Sequence, residues 1–201
     1  MKEGLNAAIL SGDLALIAEL YRLGEPPALQ SVYPDFSPQF AAIEACEDHG
    51  SVLALALLLR LGADPNERHA SGDTPLLMAA YRGLPSALAL LLSHGADPAV
   101  RGPEGDTPLS ALVGQGRVDL VEMLLVCGAD RTLEERTGFT ESTVLEIAAS
   151  KLDIAMIRSL LRAGARTVAL DGRKVVDSLP ARKGAVDPAW DAAFGLLTSG
   201  M

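Results

Sequence analysis

Few residues in this chain could carry out chemistry, and their spacing forms no catalytic site. The candidates are the histidines His49, His69 and His94 and the cysteines Cys46 and Cys127. Asp48, His49 and Ser51 lie within four positions of one another, but sequence neighbours rarely reach the geometry of a catalytic triad. The sequence contains no phosphate-binding loop, dinucleotide fingerprint or metal-ligand motif. We therefore expect a protein that is not an enzyme and that needs no cofactor or metal.

Composition and charge narrow the class of protein further. The 201 residues are 49% hydrophobic and carry a formal net charge of -9, which argues against binding to nucleic acid or to an anionic membrane. The longest strongly apolar run, 52–59, is too short to span a bilayer. Glu3, Gly12 and Asp13 interrupt any signal-peptide core, and two distant cysteines indicate free thiols. We expect a cytoplasmic protein, and 13 arginines against four lysines favour a bacterial source.

A repeat of fixed period is the strongest feature of the sequence. The segment LLLRLGADPN at 57–66 returns as LLLSHGADPA at 90–99 and as MLLVCGADRT at 123–132, 33 residues apart each time. Thr-Pro-Leu at 74–76 returns at 107–109 with the same spacing. Threonine caps, proline at the first helical position and a closing glycine predict two short helices in each copy. Because such helices are marginal alone, we expect neighbouring copies to stack.

These signatures resemble the ankyrin-repeat family. The resemblance implies an all-α, ankyrin-type α-solenoid of about five helix-turn-helix repeats plus a degenerate C-terminal capping repeat, with extended loops or hairpins between repeats. We expect one domain over 1–201, with approximate repeats at 4–24, 35–66, 69–99, 102–132, 138–167 and 171–199. The family's usual histidine after Thr-Pro-Leu is replaced here by Leu77, Ser110 and Glu146, so its hydrogen-bond network is absent or rebuilt. Trp190 and Phe194 are expected to seal the last internal face.

Partners of this family usually contact the loop tips and the exposed sides of the first helices, which line a concave face. Carried onto this chain, the resemblance implies a protein-binding surface formed by Asp48, His49, Arg68, His69, Asp73, Tyr81, Arg82, Arg101, Glu104, Asp106 and Gln115. We expect Tyr81 and Arg82 at its centre, because Tyr and Arg are frequent hot-spot residues; alternatively, Tyr81 covers a neighbouring helix. Tyr33 and Phe36, in the loop at about 25–40, are a second candidate surface or a hydrophobic plug over that end.

Two functions remain open. The leading hypothesis is a monomeric, non-enzymatic protein-interaction module, and the chain's acidic charge favours a partner with a basic surface. The alternative is an inhibitor or immunity-type protein that caps a toxic or catalytic partner. Charge is uneven, because residues 1–150 hold 9 basic and 21 acidic groups whereas residues 151–201 hold 8 and 5. We interpret the basic end as a solvated cap rather than a docking patch.

Overall fold

The fold of the chain is all-α and is built from pairs of short helices. The computed structural model describes residues 4–22, 37–137, 141–170, 172–184 and 186–199, and for His49 the backbone alone. Within these ranges there is no strand, and the β-type pairing consists of the isolated bridges Thr137–Ser142 and Val168–Lys174. The expected fold class is thereby confirmed. Contacts divide the chain into two units, residues 1–97 and 98–201, which are described separately below.

The described residues of the first unit form three helix pairs. They are α1 (Leu5–Ser11) with α2 (Leu14–Arg22), α3 (Pro38–His49) with α4 (Leu53–Arg60), and α5 (Pro75–Tyr81) with α6 (Pro85–Ser93). The first helices of successive pairs pack on one another, α1 on α3 and α3 on α5, and α2 packs on α4. This stacking buries the apolar faces of helices that are too short to be stable alone.

The second unit repeats the plan and then changes it. Its helices are α7 (Pro108–Gln115), α8 (Val118–Val126), α9 (Val144–Ser150), α10 (Ile154–Arg162) and α11 (Pro188–Thr198). Helix α7 packs on α9, α8 on α10, and α10 on α11. A 3-10 helix, Val175–Ser178, packs on α9 where a first helix of the last copy was expected. A second 3-10 helix, Ala129–Thr132, follows α8 where the other copies continue as a loop.

Side-chain caps explain where the first helices begin. The hydroxyls of Thr74, Thr107 and Thr143 accept hydrogen bonds from the backbone N–H three residues on, at 3.4, 3.1 and 3.3 Å. In α7 and α9 the cap is reciprocal, because Ser110 and Glu146 accept from the N–H of Thr107 and Thr143 at 2.9 and 2.7 Å. The residues that replace the family's histidine therefore form capping boxes in these two copies.

The start of α3 was placed too late by the sequence interpretation. Counting 33 residues back from Thr74 puts the start of the second copy at Ala41, where no capping residue stands, but α3 begins at Pro38, directly after the N-cap residue Ser37. Ser-Pro is here the counterpart of Thr-Pro in the later copies, although the Ser37 side chain makes no capping hydrogen bond. Proline at the first helical position has the backbone angle that a helix needs, and this fixes the start.

Left-handed residues end the helices as the repeat predicted. Gly62, Gly95 and Gly128 have φ angles of 96°, 87° and 99°. At the turn between α9 and α10, Leu152 takes a φ of 54°, close to the 62° of Gly83 in the earlier copy. A side chain with a Cβ is strained in this region, so the fourth copy carries a local cost that glycine avoids.

The C-terminal end is sealed less completely than expected. The rings of Trp190 and Phe194 stack with centroids 5.0 Å apart, yet Phe194 is 42% exposed. Arg182 lies over the Trp190 ring, 5.4 Å from its centroid, and forms an ion pair with Asp191 at 2.7 Å. The last face is therefore covered in part by a guanidinium group, which leaves Phe194 at the surface.

Candidate protein-binding surface

Three loops of this chain share one turn, and we call them fingers: the first finger (66–74), the second finger (99–107) and the C-terminal finger (166–174). In the first finger, the N–H of His69 donates to the carbonyl of Asp73 at 2.9 Å, and the N–H of Gly72 donates to the carbonyl of His69 at 2.8 Å. Gly72 has a φ of 91°, which this tight turn requires. The turn holds the candidate residues Arg68, His69 and Asp73 close together.

These candidate residues make bonds within the finger. Arg68 donates to the carbonyl of Gly72 at 2.7 Å, and the hydroxyl of Ser71 donates to the Asp73 carboxylate at 2.7 Å. His69 was expected to be an exposed tip residue, but it is only half-exposed, and its ring lies 4.9 Å from that of Phe40 in α3. The finger is thus tied to the stack through His69, because a ring contact with a buried Phe is a core contact.

The ends of α3 and α5 bring charged residues together. The guanidinium of Arg82 forms ion pairs with Glu47 and, at 3.3 Å, with Glu44. We call these three residues the helix-end cluster. Arg82 is the residue directly after Tyr81, which ends α5 and is 45% exposed. Two carboxylates facing one guanidinium leave the cluster with a net negative charge, and the exposed Asp48 on α3 adds another.

Tyr81, at the end of α5, is 45% exposed, so it covers a neighbouring helix at most in part. A tyrosine buried against a neighbour would be largely hidden, whereas almost half of this side chain reaches solvent. An exposed aromatic ring with a polar hydroxyl is the kind of side chain that protein interfaces use as an anchor. Tyr81 therefore stays a candidate anchor of the surface.

In the second unit, the second finger repeats the turn with other side chains. The N–H of Gly102 donates to the carbonyl of Asp106 at 2.8 Å, and that of Gly105 donates to the carbonyl of Gly102 at 3.1 Å. Arg101 forms an ion pair with Glu135 at 2.8 Å, and Glu104 lies exposed at the tip. Gln115, at the end of α7, is also exposed.

Asp106 lies where the candidate surface was expected, but its carboxylate is withdrawn from solvent. Both carboxylate oxygens are buried, and within the ranges that the structure describes neither has a hydrogen-bond partner. Its counterpart Asp73 accepts from Ser71, whose position is occupied by Glu104 in the second finger. In this orientation, the Asp106 carboxylate does not present its oxygens to a protein that binds at the surface.

The candidate residues are divided between the two units. The first finger, Tyr81, Arg82 and Asp48 belong to the first unit, whereas Arg101, Glu104, Asp106 and Gln115 belong to the second. Their expected assembly into one patch stays a prediction. The His49 side chain lies outside the described residues, and so do Tyr33 and Phe36.

Glu44 is the functional candidate that the sequence interpretation missed. Glu44 and Glu47 are spaced three residues apart on α3, which puts both carboxylates on one helix face. That spacing was a readable signal, but its link to Arg82, 35 and 38 residues later, depends on how α3 packs against α5.

Metal ligands, long apolar helices and thiols are the remaining features to consider in the described parts of the chain. They contain no group of three or more His, Cys, Asp or Glu side chains that could hold a metal ion. No helix among them is long and apolar enough to cross a membrane. Cys127 is exposed, whereas Cys46 is buried, and burial raises the pKa of the Cys46 thiol to about 11. Cys46 is therefore a core residue and is unreactive at neutral pH.

Comparison with known proteins agrees with this architecture. Residues 42–135 match the family model for ankyrin repeats, in three copies. No curated protein gave a significant match to the chain. Ankyrin repeats are generally protein–protein interaction modules, and the family is typically non-enzymatic. Residues 42–135, which carry the Thr-Pro-Leu caps and the glycine-ended helices described above, are therefore a segment of ankyrin repeats.

Proposed function

We propose that this chain binds a protein partner through its fingers and first-helix ends, and that the partner presents a basic surface there. The observation that carries the proposal is the exposed Tyr81 next to the net-negative helix-end cluster. An aromatic anchor beside uncompensated carboxylates suits a partner that offers Lys or Arg around an apolar pocket. An exposed free thiol at Cys127 favours a reducing, cytoplasmic location for the complex.

Arg82, the second residue expected at the centre of the surface, is not suited to a substitution test. The Arg82 side chain is only 27% exposed, and it neutralises part of the charge of Glu44 and Glu47. Truncating it would free both carboxylates and weaken the link between α3 and α5, so a loss of binding could not be assigned to the interface. Tyr81 and Asp48 are therefore the residues to change.

The test begins with the partner recovered from the native cell on the immobilised chain. We expect Tyr81→Ala to weaken binding by more than about 2 kcal/mol, as hot-spot truncations do. Asp48→Lys should weaken it mainly through the association rate, with a smaller dependence on salt than the unchanged chain shows. Val126→Ala is the matched control, because Val126 is 89% exposed but lies on the second helix α8. Equal affinity of the Tyr81→Ala and control variants would contradict the proposal.

The inhibitor alternative is tested with the same partner. If the recovered protein has an activity of its own, a stoichiometric loss of that activity on binding assigns this chain as its inhibitor. Unchanged activity in the complex assigns it as a scaffold or adaptor instead.

A further inference from the structure

The C-terminal finger is closed by the same two backbone hydrogen bonds as the other two fingers. The N–H of Ala169 donates to the carbonyl of Arg173 at 2.8 Å, and the N–H of Gly172 donates to the carbonyl of Ala169 at 2.9 Å. These are the two bonds that close the first and second fingers, and Gly172 has a φ of 85° where Gly72 has 91°. Equal turns allow the side chains to be compared position by position.

The charge balance of its side chains is opposite to that of the other two fingers. Each of the first two fingers has one basic and two acidic residues, whereas residues 166–174 have three basic residues and one acidic residue, Asp171. Arg173 stands where the others have aspartate, and Leu170 stands where they have alanine or proline. Leu170 is 77% exposed, between the exposed cations Arg166, Arg173 and Lys174. A large exposed apolar side chain with a cationic rim is what an interface uses and a solvated cap does not need.

The first unit contains a cavity with the complementary character. It has a volume of about 200 Å³ and lies at the turns between α1 and α2 and between α3 and α4, where its lining includes Ile9, Gly12, Ala45 and Ala54. Leu14 and Leu53 also line it, and both are exposed to solvent, at 37% and 59%. An apolar cavity of roughly 150 Å³ already admits a benzene-sized group, so this one is large enough for a leucine side chain.

The charge around this cavity is also opposite to that of the finger. Asp13, which is exposed, lies between the lining residues Gly12 and Leu14. Residues 1–97 as a whole carry 5 basic and 12 acidic groups, against 8 and 5 in residues 151–201. The cationic C-terminal finger and the apolar cavity in an acidic region therefore favour association, both through opposite charge and through burial of Leu170.

We propose that this chain binds a second copy of itself head to tail, with Leu170 of one copy seated in the cavity between α1–α2 and α3–α4 of the next. The contact is heterologous, because the finger and the cavity are different surfaces, so every assembly keeps a free finger at one end and a free cavity at the other. Assemblies therefore grow by adding copies as the protein concentration rises. The contact is small and its association is weak and salt-dependent.

Sedimentation equilibrium of the whole chain tests this association. The weight-average mass rises with concentration between about 10 µM and about 1 mM at low salt, the range in which a small interface associates. Leu170→Asp lowers the association constant at least about tenfold, because it removes one buried leucine and adds a charge. Val126→Asp, which changes an exposed apolar residue elsewhere, associates like the unchanged chain. A monomeric mass at every concentration, as first expected from the sequence, overturns the proposal.

Mixing two variants distinguishes the head-to-tail contact from any other self-association. The Leu170→Asp variant has lost the apolar side chain of its finger but keeps an intact cavity. The Leu53→Arg variant keeps an intact finger, but the added charge at its cavity repels the basic finger of another copy. Both positions are exposed, so far-ultraviolet circular dichroism of both variants matches the unchanged chain. Each variant alone is monomeric, and an equimolar mixture forms dimers and nothing larger. A mixture that stays monomeric, or a Leu53→Arg variant that still associates alone, overturns the assignment of the two surfaces.

Discussion

Asp73 and Asp106 hold equivalent positions in the first and second fingers but differ in what surrounds their carboxylates. Asp73 accepts a hydrogen bond from the Ser71 hydroxyl at 2.7 Å. The Asp106 oxygens are buried, and no partner for them lies among the residues that the structure describes. A buried charge without a partner is destabilising, whereas a hydrogen-bonded one is not. We therefore expect the same residue type at the same turn to change the free energy of unfolding in opposite directions.

Neutralising Asp106 should stabilise the chain. We expect Asp106→Asn to raise the free energy of unfolding by about 1 kcal/mol, because it removes an uncompensated buried charge and keeps the shape of the side chain. Asp73→Asn is the matched control, and it should not stabilise, since it weakens a charge-assisted hydrogen bond. Urea unfolding of the two variants measures both effects. If Asp73→Asn raised the free energy of unfolding and Asp106→Asn left it unchanged, this explanation would be contradicted.

Glu67, in the first finger, gives a test by pH. Burial raises the pKa of its carboxyl, which the charge of Asp64 raises further, while a hydrogen bond from Gln39 and the charge of His69 oppose the shift. A pKa that is higher in the folded state contributes stability below the ordinary glutamate pKa, and this contribution is lost as the pH rises through the folded value.

The corresponding prediction is that Glu67→Gln is more stable than the unchanged chain at pH 7. The advantage should shrink as the pH falls and vanish below about 4, where the glutamate is protonated in both states. Thermal melts at the two pH values measure it, with the exposed Glu104→Gln as control. An advantage of the same size at both pH values would mean that the amide acts through packing and not through charge.

At the scale of the element, each helix depends on its start, its end and its neighbour. The caps at Thr74, Thr107 and Thr143 and the left-handed glycines could be predicted from sequence, because they are local and recur with the period. The start of α3 was misplaced because Ser37-Pro38 lacks the leucine that follows in the later copies. The 3-10 helix Val175–Ser178 escaped prediction because no repeated signature marks it.

The second helices should lose much stability when their buried leucines are shortened. Leu91, in α6, is completely buried, as its recurring apolar position predicted. Leu91→Ala should lower the free energy of unfolding by about 2–5 kcal/mol, through lost transfer energy and the cavity left behind. Val126→Ala, at an exposed position of α8, should change it by less than about 0.5 kcal/mol. Denaturant melts of the two variants compare them, and similar losses would show that Leu91 is not in the core.

At the scale of the whole molecule, the repeat fold was predictable and the binding surface was predictable only in outline. Periodic positions gave the helix pairs and the buried leucines, because stacking imposes the same environment on each copy. The pairing of Arg82 with Glu44 and Glu47 was not predictable, because it depends on residues that occur in one copy each and meet only when α3 packs on α5. The contact between His69 and Phe40 has the same origin.

The most direct test of the proposed function is amide hydrogen exchange of the whole chain with and without its partner. Exchange reports protection segment by segment, so it locates the contact without any substitution. We predict slower exchange on binding in the first finger and at the end of α5, residues 66–74 and 78–83, with α4 and α6 unchanged. Protection confined to the second helices α4 and α6, with the first finger and the end of α5 unaffected, would contradict binding through the fingers and first-helix ends.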